Sequence, residues 1–199
     1  MERKQIEIRW HGRGGQGAVT AAMVLAEAAY YDGYKGVTSA PFFGAERRGA
    51  PVIATTRFGR QPIRTFSLVE HPDVVVVLDE SLLKVVDVTA GMRPDGLVLI
   101  NTPKAPEIIC AFLAKPVNVA ITHATHWAKE ADLIVAGSIL FNTTILGGFS
   151  KATGLITMEG IEKALGLHFK REALERNIHG ARLAYDGTLT ATECKLACA

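Results

Sequence analysis

Apolar residues fall into two kinds of pattern along this chain, and the contrast between them predicts the architecture. Val74-Val75-Val76-Val77-Leu78 and Leu97-Val98-Leu99-Ile100 are continuous apolar runs without polar alternation. Short runs of that kind predict strands buried on both faces, as in a parallel sheet covered by helices. Residues 6–10 alternate and are rich in β-formers, and residues 36–39, 52–58 and 117–122 read as further strands. Helical stretches lie between them. Ala18–Tyr31 is alanine-rich, places Thr20, Val24 and Ala28 on one face, and stops at Gly33. Residues 79–86 read as a short helix and residues 126–149 as a long helical region. Residues 158–165 form a helix started by Thr157, and residues 171–185 form the last one. Gly59-Arg60-Gln61 predicts a turn that folds 52–58 back onto 62–66 as a hairpin. The order predicts an α/β fold over 1–199 as a single domain. Its form is a three-layer sandwich with a mostly parallel, Rossmann-like sheet and an antiparallel hairpin insertion.

Composition narrows the partners. A net charge of +2 without a Lys/Arg tract argues against nucleic acid. No apolar run is long enough to span a bilayer and none follows Met1-Glu2-Arg3-Lys4, so a cytoplasmic chain without membrane contact is expected. The cysteines are Cys110, Cys194 and Cys198, a sparse set that fits a reducing compartment. Cys110 lies in an apolar run and is expected in the core, with Cys194 and Cys198 as ordinary tail thiols.

Chemistry enters at the junction of the first strand and first helix. Gly12, Gly14 and Gly17 spell G-x-G-x-x-G there, in the stretch Gly12-Arg13-Gly14-Gly15-Gln16-Gly17. Glycines let a phosphate approach the backbone at the positive end of a helix. The alternative is a tight turn without a ligand, because glycine also permits close helix–strand packing. A nicotinamide cofactor would call for an acid about 20 positions later, at the end of the second strand, and Val37-Thr38-Ser39-Ala40 offers none. Gly17 is followed by Ala18-Val19 rather than Lys-Ser/Thr, so the nucleotide triphosphatase loop is missing too.

A second cluster, Pro41-Phe42-Phe43-Gly44-Ala45-Glu46-Arg47-Arg48-Gly49-Ala50-Pro51, pairs arginines between glycines. Those arginines suit a phosphate or carboxylate, or else a solvated surface or an interface. The loop follows the second strand, so it is expected to approach the glycine loop. His123 and His126 could share a helix face, but no third ligand completes a metal site, and surface or capping roles are expected.

With both loops in view, the chain resembles the gamma subunit of pyruvate:ferredoxin oxidoreductase and related 2-oxoacid:acceptor oxidoreductases. Pro62-Ile63-Arg64, Pro72-Asp73-Val74-Val75-Val76-Val77-Leu78-Asp79 and Arg93-Pro94-Asp95-Gly96 extend the resemblance over nearly the whole chain, least after Ala152. The resemblance implies a complex with alpha, beta and delta-type subunits, or fused equivalents. Other chains carry thiamine diphosphate with magnesium and two [4Fe–4S] clusters. The implied reaction is oxidative decarboxylation of a 2-oxoacid, pyruvate foremost, with coenzyme A taking the acyl group and ferredoxin the electrons. A 2-oxoglutarate, branched-chain or aryl-2-oxoacid enzyme is the alternative. The gamma chain is implied to pack against the catalytic core and help hold coenzyme A, through Gly12, Arg13, Gly14, Gly15, Gln16, Gly17, Glu46, Arg47 and Arg48. It would contribute no catalytic residue and no metal ligand, and would be inactive alone. A free-standing dinucleotide- or flavin-binding oxidoreductase and a pure scaffold are the competing readings.

Overall fold

The computed structural model describes residues 5–42 and 48–191. A seven-stranded sheet runs in the order β2-β3-β1-β4-β5-β6-β9. Its strands are β1 (Gln5–Arg13), β2 (Gly36–Phe42), β3 (Pro51–Gly59), β4 (Val74–Val77), β5 (Leu97–Asn101), β6 (Asn118–Thr122) and β9 (Leu189–Ala191). The helices are α1 (Ala18–Tyr31), α2 (Pro106–Cys110), α3 (Ala124–Glu130), α4 (Ile145–Thr153), α5 (Met158–His168) and α6 (Arg171–Asp186), with a short 3₁₀ turn over Glu80–Lys84. Strands β1, β4, β5 and β6 are mutually parallel, whereas β3 is antiparallel to both β1 and β2, and β9 to β6.

The four valines of β4 show why the centre is parallel. Val74 and Val76 enter one apolar cluster with Ile8, Trp10, Leu99, Ala120 and Phe149, while Val75 and Val77 enter another with Val98, Ile100, Ile109 and Ile121. A strand buried on both faces has no polar side to alternate. The outer layers are unequal. Helices α1, α4, α5 and α6 cover the first face, and the alanines of α1 (Ala18, Ala21, Ala22, Ala28, Ala29) let it lie close. Thr56 of β3 fixes that approach, donating to the Ala22 carbonyl at 2.8 Å and accepting from Trp10 Nε1 at 3.0 Å. Gly33 (φ 92°) ends α1 in a left-handed turn, with Tyr34 N–H bonded to the Ala29 carbonyl at 3.1 Å. Among the described residues the second face is covered by α2, the 3₁₀ turn and long connecting segments, through Ile109, Leu82, Val88, Met92 and Leu113.

Three local expectations are corrected. Residues 62–66 form no strand, because both edges of β3 are taken by β1 and β2. The hairpin lies elsewhere, at β7 (Ile134–Val135) and β8 (Ser138–Ile139). The helical region of 126–149 is therefore broken into α3, this hairpin and α4. Cys110 is half-buried beside the second cluster, but its sulfur is disulfide-bonded rather than free. Cys194 and Cys198 lie outside the described residues. Among the described residues no helix is long and apolar enough to cross a membrane.

Beneath β1 and β3 the second face is polar yet closed. Arg9, His11, Thr55 and Arg57 are all buried there. Arg57 Nε donates to Glu7 at 2.7 Å, and Arg9 Nε donates to His11 Nε2 at 3.1 Å. That bond requires an unprotonated Nε2. Burial, reinforced by the Arg9 charge and only partly opposed by Asp87, lowers the His11 imidazole from 6.5 to about 4. The unfolded chain thus takes up a proton that the folded chain refuses. The His11 contribution is complete above about pH 6.5, shrinks as pH falls, and is gone below about pH 4, a span of roughly 3 kcal/mol. Denaturant unfolding between about pH 7.5 and pH 4.5 should show wild type losing more stability than His11→Gln. Equal losses would mean that another group titrates.

Candidate functional site

The carboxyl ends of β1, β4, β5 and β6 share one edge of the sheet. From β1 the chain leaves through α1 toward β2, on one side; from β4 it continues to β5 and β6, on the other. The β1–β4 boundary is therefore the topological switch point, where ligands of open α/β sheets bind. The glycine loop lies there.

Each glycine has its own reason. A Cβ on Gly12 would stand 3.1 Å from Leu78 Cδ1 and 3.2 Å from Ala18 Cβ, so Gly12 permits strand and helix to close together. Gly15 (φ 95°) and Gly17 (φ 76°) adopt left-handed conformations, and a Cβ on Gly17 would meet the Asn142 side chain at 2.5 Å. Gly17 caps α1 without a side chain and no acid stands in the first turn. The positive end of the helix is thus not neutralised by its own cap or first turn.

The second loop is stitched to the first, as the switch-point rule leads one to expect. Gly14 N–H donates to the Ala50 carbonyl at 2.8 Å, and Gly49 N–H donates to the Gly14 carbonyl at 3.1 Å. Both bonds continue the β1–β3 ladder past its last pair, Arg13 with Pro51. Arg48 is exposed beside Gly15, its Cγ 4.0 Å from where a Gly15 Cβ would be. Glu46 and Arg47 lie outside the described residues.

Arg13 and Gln16 are placed differently. Arg13 Nε donates to Asp79 Oδ2 at 3.1 Å, Nη2 to Ser81 Oγ at 2.7 Å and Nη1 to the Gly49 carbonyl at 3.0 Å. Gln16 accepts from Arg13 N–H at 2.8 Å and donates to Asp79 Oδ2 at 2.9 Å. Burial raises the Asp79 carboxyl, but hydrogen bonds from Ser81 and Gln16 and the Arg13 charge outweigh it, leaving Asp79 below the usual carboxylate range. Asp79, Ser81 and Asn142 are the residues that motif reading misses. Asp79 follows the β4 run at a strand's carboxyl end, which is a usable signal, whereas nothing near Asn142 marks it.

Farther along the edge, Lys104 Nζ donates to Glu80 at 2.8 Å and Thr102 donates to the same carboxylate. His123 and His126 stack with ring centroids 5.3 Å apart, and His126 stands 3.5 Å from Glu130. Burial and the neighbouring His126 lower the His123 imidazole. Among the described residues no three His, Cys, Asp or Glu side chains converge as metal ligands. The acid of nicotinamide-binding sheets has no counterpart for a topological reason: β3 stands between β1 and β2, so the strand that would carry it is not beside β1.

A mostly parallel sheet with helices on its faces and a glycine loop at the switch point defines an α/β domain of the doubly wound class, and comparison with known proteins narrows it. Residues 7–187 match the family model described as pyruvate ferredoxin/flavodoxin oxidoreductase. The chain is 52% identical to the "Pyruvate/ketoisovalerate oxidoreductases common subunit gamma" of Pyrococcus furiosus, over 92% of this chain and 97% of that one. It is similar to the crystal structure of pyruvate oxidoreductase subunit PORC from Thermotoga maritima, with a TM-score of 0.82, 36% identity, and 95% of this chain and 99% of that one covered. A 2-oxoglutarate:ferredoxin oxidoreductase from Magnetococcus marinus, solved with 2-oxoglutarate, coenzyme A and succinyl-CoA bound, shares the fold at TM-score 0.69 and 19% identity; 98% of this chain aligns with 33% of that longer one. This chain belongs to the pyruvate ferredoxin/flavodoxin oxidoreductase family and corresponds to its gamma-type chains.

Proposed function

We propose that this chain, as one gamma-type domain, is a non-catalytic subunit of a thiamine diphosphate- and iron–sulfur-dependent 2-oxoacid:ferredoxin oxidoreductase. The complex would oxidatively decarboxylate pyruvate, pass the electrons to ferredoxin and deliver the acyl group to coenzyme A. Thiamine diphosphate, with its magnesium, and the clusters would reside on alpha, beta and delta-type partners. This chain would pack against them in the cytoplasm and bind the coenzyme's phosphates.

One observation carries the coenzyme role. The Gly14–Ala50 and Gly49–Gly14 bonds place Arg48 beside the uncapped start of α1. Backbone amides and a guanidinium there suit a pyrophosphate. Coenzyme A in the Magnetococcus marinus structure accords with that reading. A second substrate reading, ketoisovalerate, is favoured by the Pyrococcus furiosus relative, whose gamma subunit is described as common to both oxidoreductases. A subunit shared in that way leaves substrate choice to its partners.

In the assembled complex, Arg48→Ala is expected to raise KM for coenzyme A roughly fivefold to tenfold, the effect of losing a charge-assisted contact. KM for pyruvate should stay put. Failed assembly with unchanged coenzyme A kinetics in the complex that does form would assign Arg48 to a subunit interface instead.

A further inference from the structure

We infer that Asp79 is a positioning residue for coenzyme binding: it holds Arg13 and Gln16 as struts of the glycine loop, so that loop backbone and Arg48, rather than Arg13, meet the phosphate. The inference rests on the coenzyme reading above.

Asp79 stands across the switch point from the glycine loop, just beyond β4. It uses both carboxylate oxygens. Oδ2 accepts from Arg13 Nε at 3.1 Å and Gln16 Nε2 at 2.9 Å, while Oδ1 accepts from Ser81 N–H at 2.9 Å and Ser81 Oγ at 2.6 Å. The Ser81 hydroxyl thereby has its proton on Asp79 and its lone pairs toward Arg13. Gln16 is oriented without ambiguity, its carbonyl on Arg13 N–H and its amide nitrogen on Asp79.

Every nitrogen of the Arg13 guanidinium has a partner within this chain: Asp79 and Ser81 for Nε, Ser81 for Nη2, and Gly49 for Nη1. Its charge is balanced by Asp79, and the pair is only partly exposed. A phosphate drawing Arg13 away would leave that carboxylate without its charge partner, at a cost opposing the new contact. Gly15, left-handed and exposed, carries no charge that a phosphate contact would unpair. One carboxylate thus joins three segments: the glycine loop directly, the 3₁₀ turn through Ser81, and the arginine loop through the Arg13 bond to Gly49.

Two variants in the assembled complex test this. Asp79→Asn removes the charge and turns an amide toward two donors, while its oxygen can still serve Ser81. KM for coenzyme A should rise about tenfold, KM for the 2-oxoacid should not, and hydrogen exchange at the amides of residues 14–17 should quicken. The exchanged pair Asp79→Asn/Gln16→Glu restores an amide–carboxylate bond of reversed polarity between the two positions, so hydrogen exchange should return toward wild type, while the carboxylate now at the helix start keeps KM for coenzyme A raised. Unchanged exchange in Asp79→Asn, or failure of the exchanged pair to recover it, overturns the strut. Quickened exchange with coenzyme KM unmoved in both Asp79→Asn and Arg48→Ala overturns the coenzyme reading instead. A coenzyme KM raised by Arg48→Ala but not by Asp79→Asn leaves that reading standing and overturns the positioning role.

Discussion

Gly147→Ala is expected to destabilise the fold by about 3 kcal/mol or more, the upper part of the range for overpacking. Gly147 lies inside α4, where alanine alone would favour the helix by roughly 1 kcal/mol. Packing decides the sign. A Cβ at this position would stand 1.7 Å from the Ala181 carbonyl oxygen and 2.6 Å from its carbon. The obstacle is the backbone of α6, which has no rotamer to change. Relief requires α4 and α6 to separate, and Ile145, Leu146, Phe149 and Ala181 all belong to the main core. Gly166 of α5 is the control, because a Cβ there meets nothing within 4 Å. Gly166→Ala should therefore stabilise by about 0.5–1 kcal/mol. Urea unfolding of the two variants compares them directly, and a Gly147→Ala protein as stable as wild type would refute the close approach.

Arg9→Met is the second large loss, expected at about 3–5 kcal/mol, as when one partner is removed from a buried charged network. The Arg9 guanidinium donates to the carbonyls of Val69 at 3.3 Å, Val88 at 3.0 Å and Ala90 at 2.6 Å, besides its bond to His11. Methionine fills much of the volume but leaves three carbonyls and an imidazole nitrogen without a donor. Burial already lowers the pKa of this guanidinium, opposed only by Asp87, so the site tolerates the charge because of those four acceptors. Arg9→Lys should recover little, since one ammonium lacks the planar fork that reaches several carbonyls. A thermal melt of each variant measures the effect, and an Arg9→Met protein within about 1 kcal/mol of wild type would show the acceptors to be rehydrated.

These two sites show what local sequence carries and what it does not. The central strands were legible because burial on both faces leaves continuous apolar runs at 74–78 and 97–100. Helix α1 was legible from its alanines and Gly33, and α5 from Thr157, whose hydroxyl caps Gly160 N–H at 3.0 Å. The segment after Gly59 misled for a physical reason. It does not pair as a strand; farther on, it supplies the Leu68 and Val69 carbonyls to Arg57 and Arg9, an arrangement that only distant residues create. The β7–β8 hairpin hides in helix-like composition because Asp132 (φ 55°) and Ala136 (φ 48°) take left-handed conformations that their residue types do not announce. At the site, the glycine spacing marked the loop and the two loops do meet. The partners of Arg13 and Gln16 were not legible, since Asp79 lies more than 60 residues away along the chain.

The antiparallel insertion of β3 beside β1 has one more consequence. Because Gly14 shares two backbone bonds with Gly49 and Ala50, displacing one loop strains the other. A neighbouring chain that grips the segment around Arg48 and a ligand that presses on Gly14 would bias the same pair of amides. Linkage is reciprocal, so whatever free energy docking contributes to ligand affinity, ligand returns to docking. Subunit assembly and coenzyme affinity in such a complex would then be a single coupled equilibrium, measurable from either end.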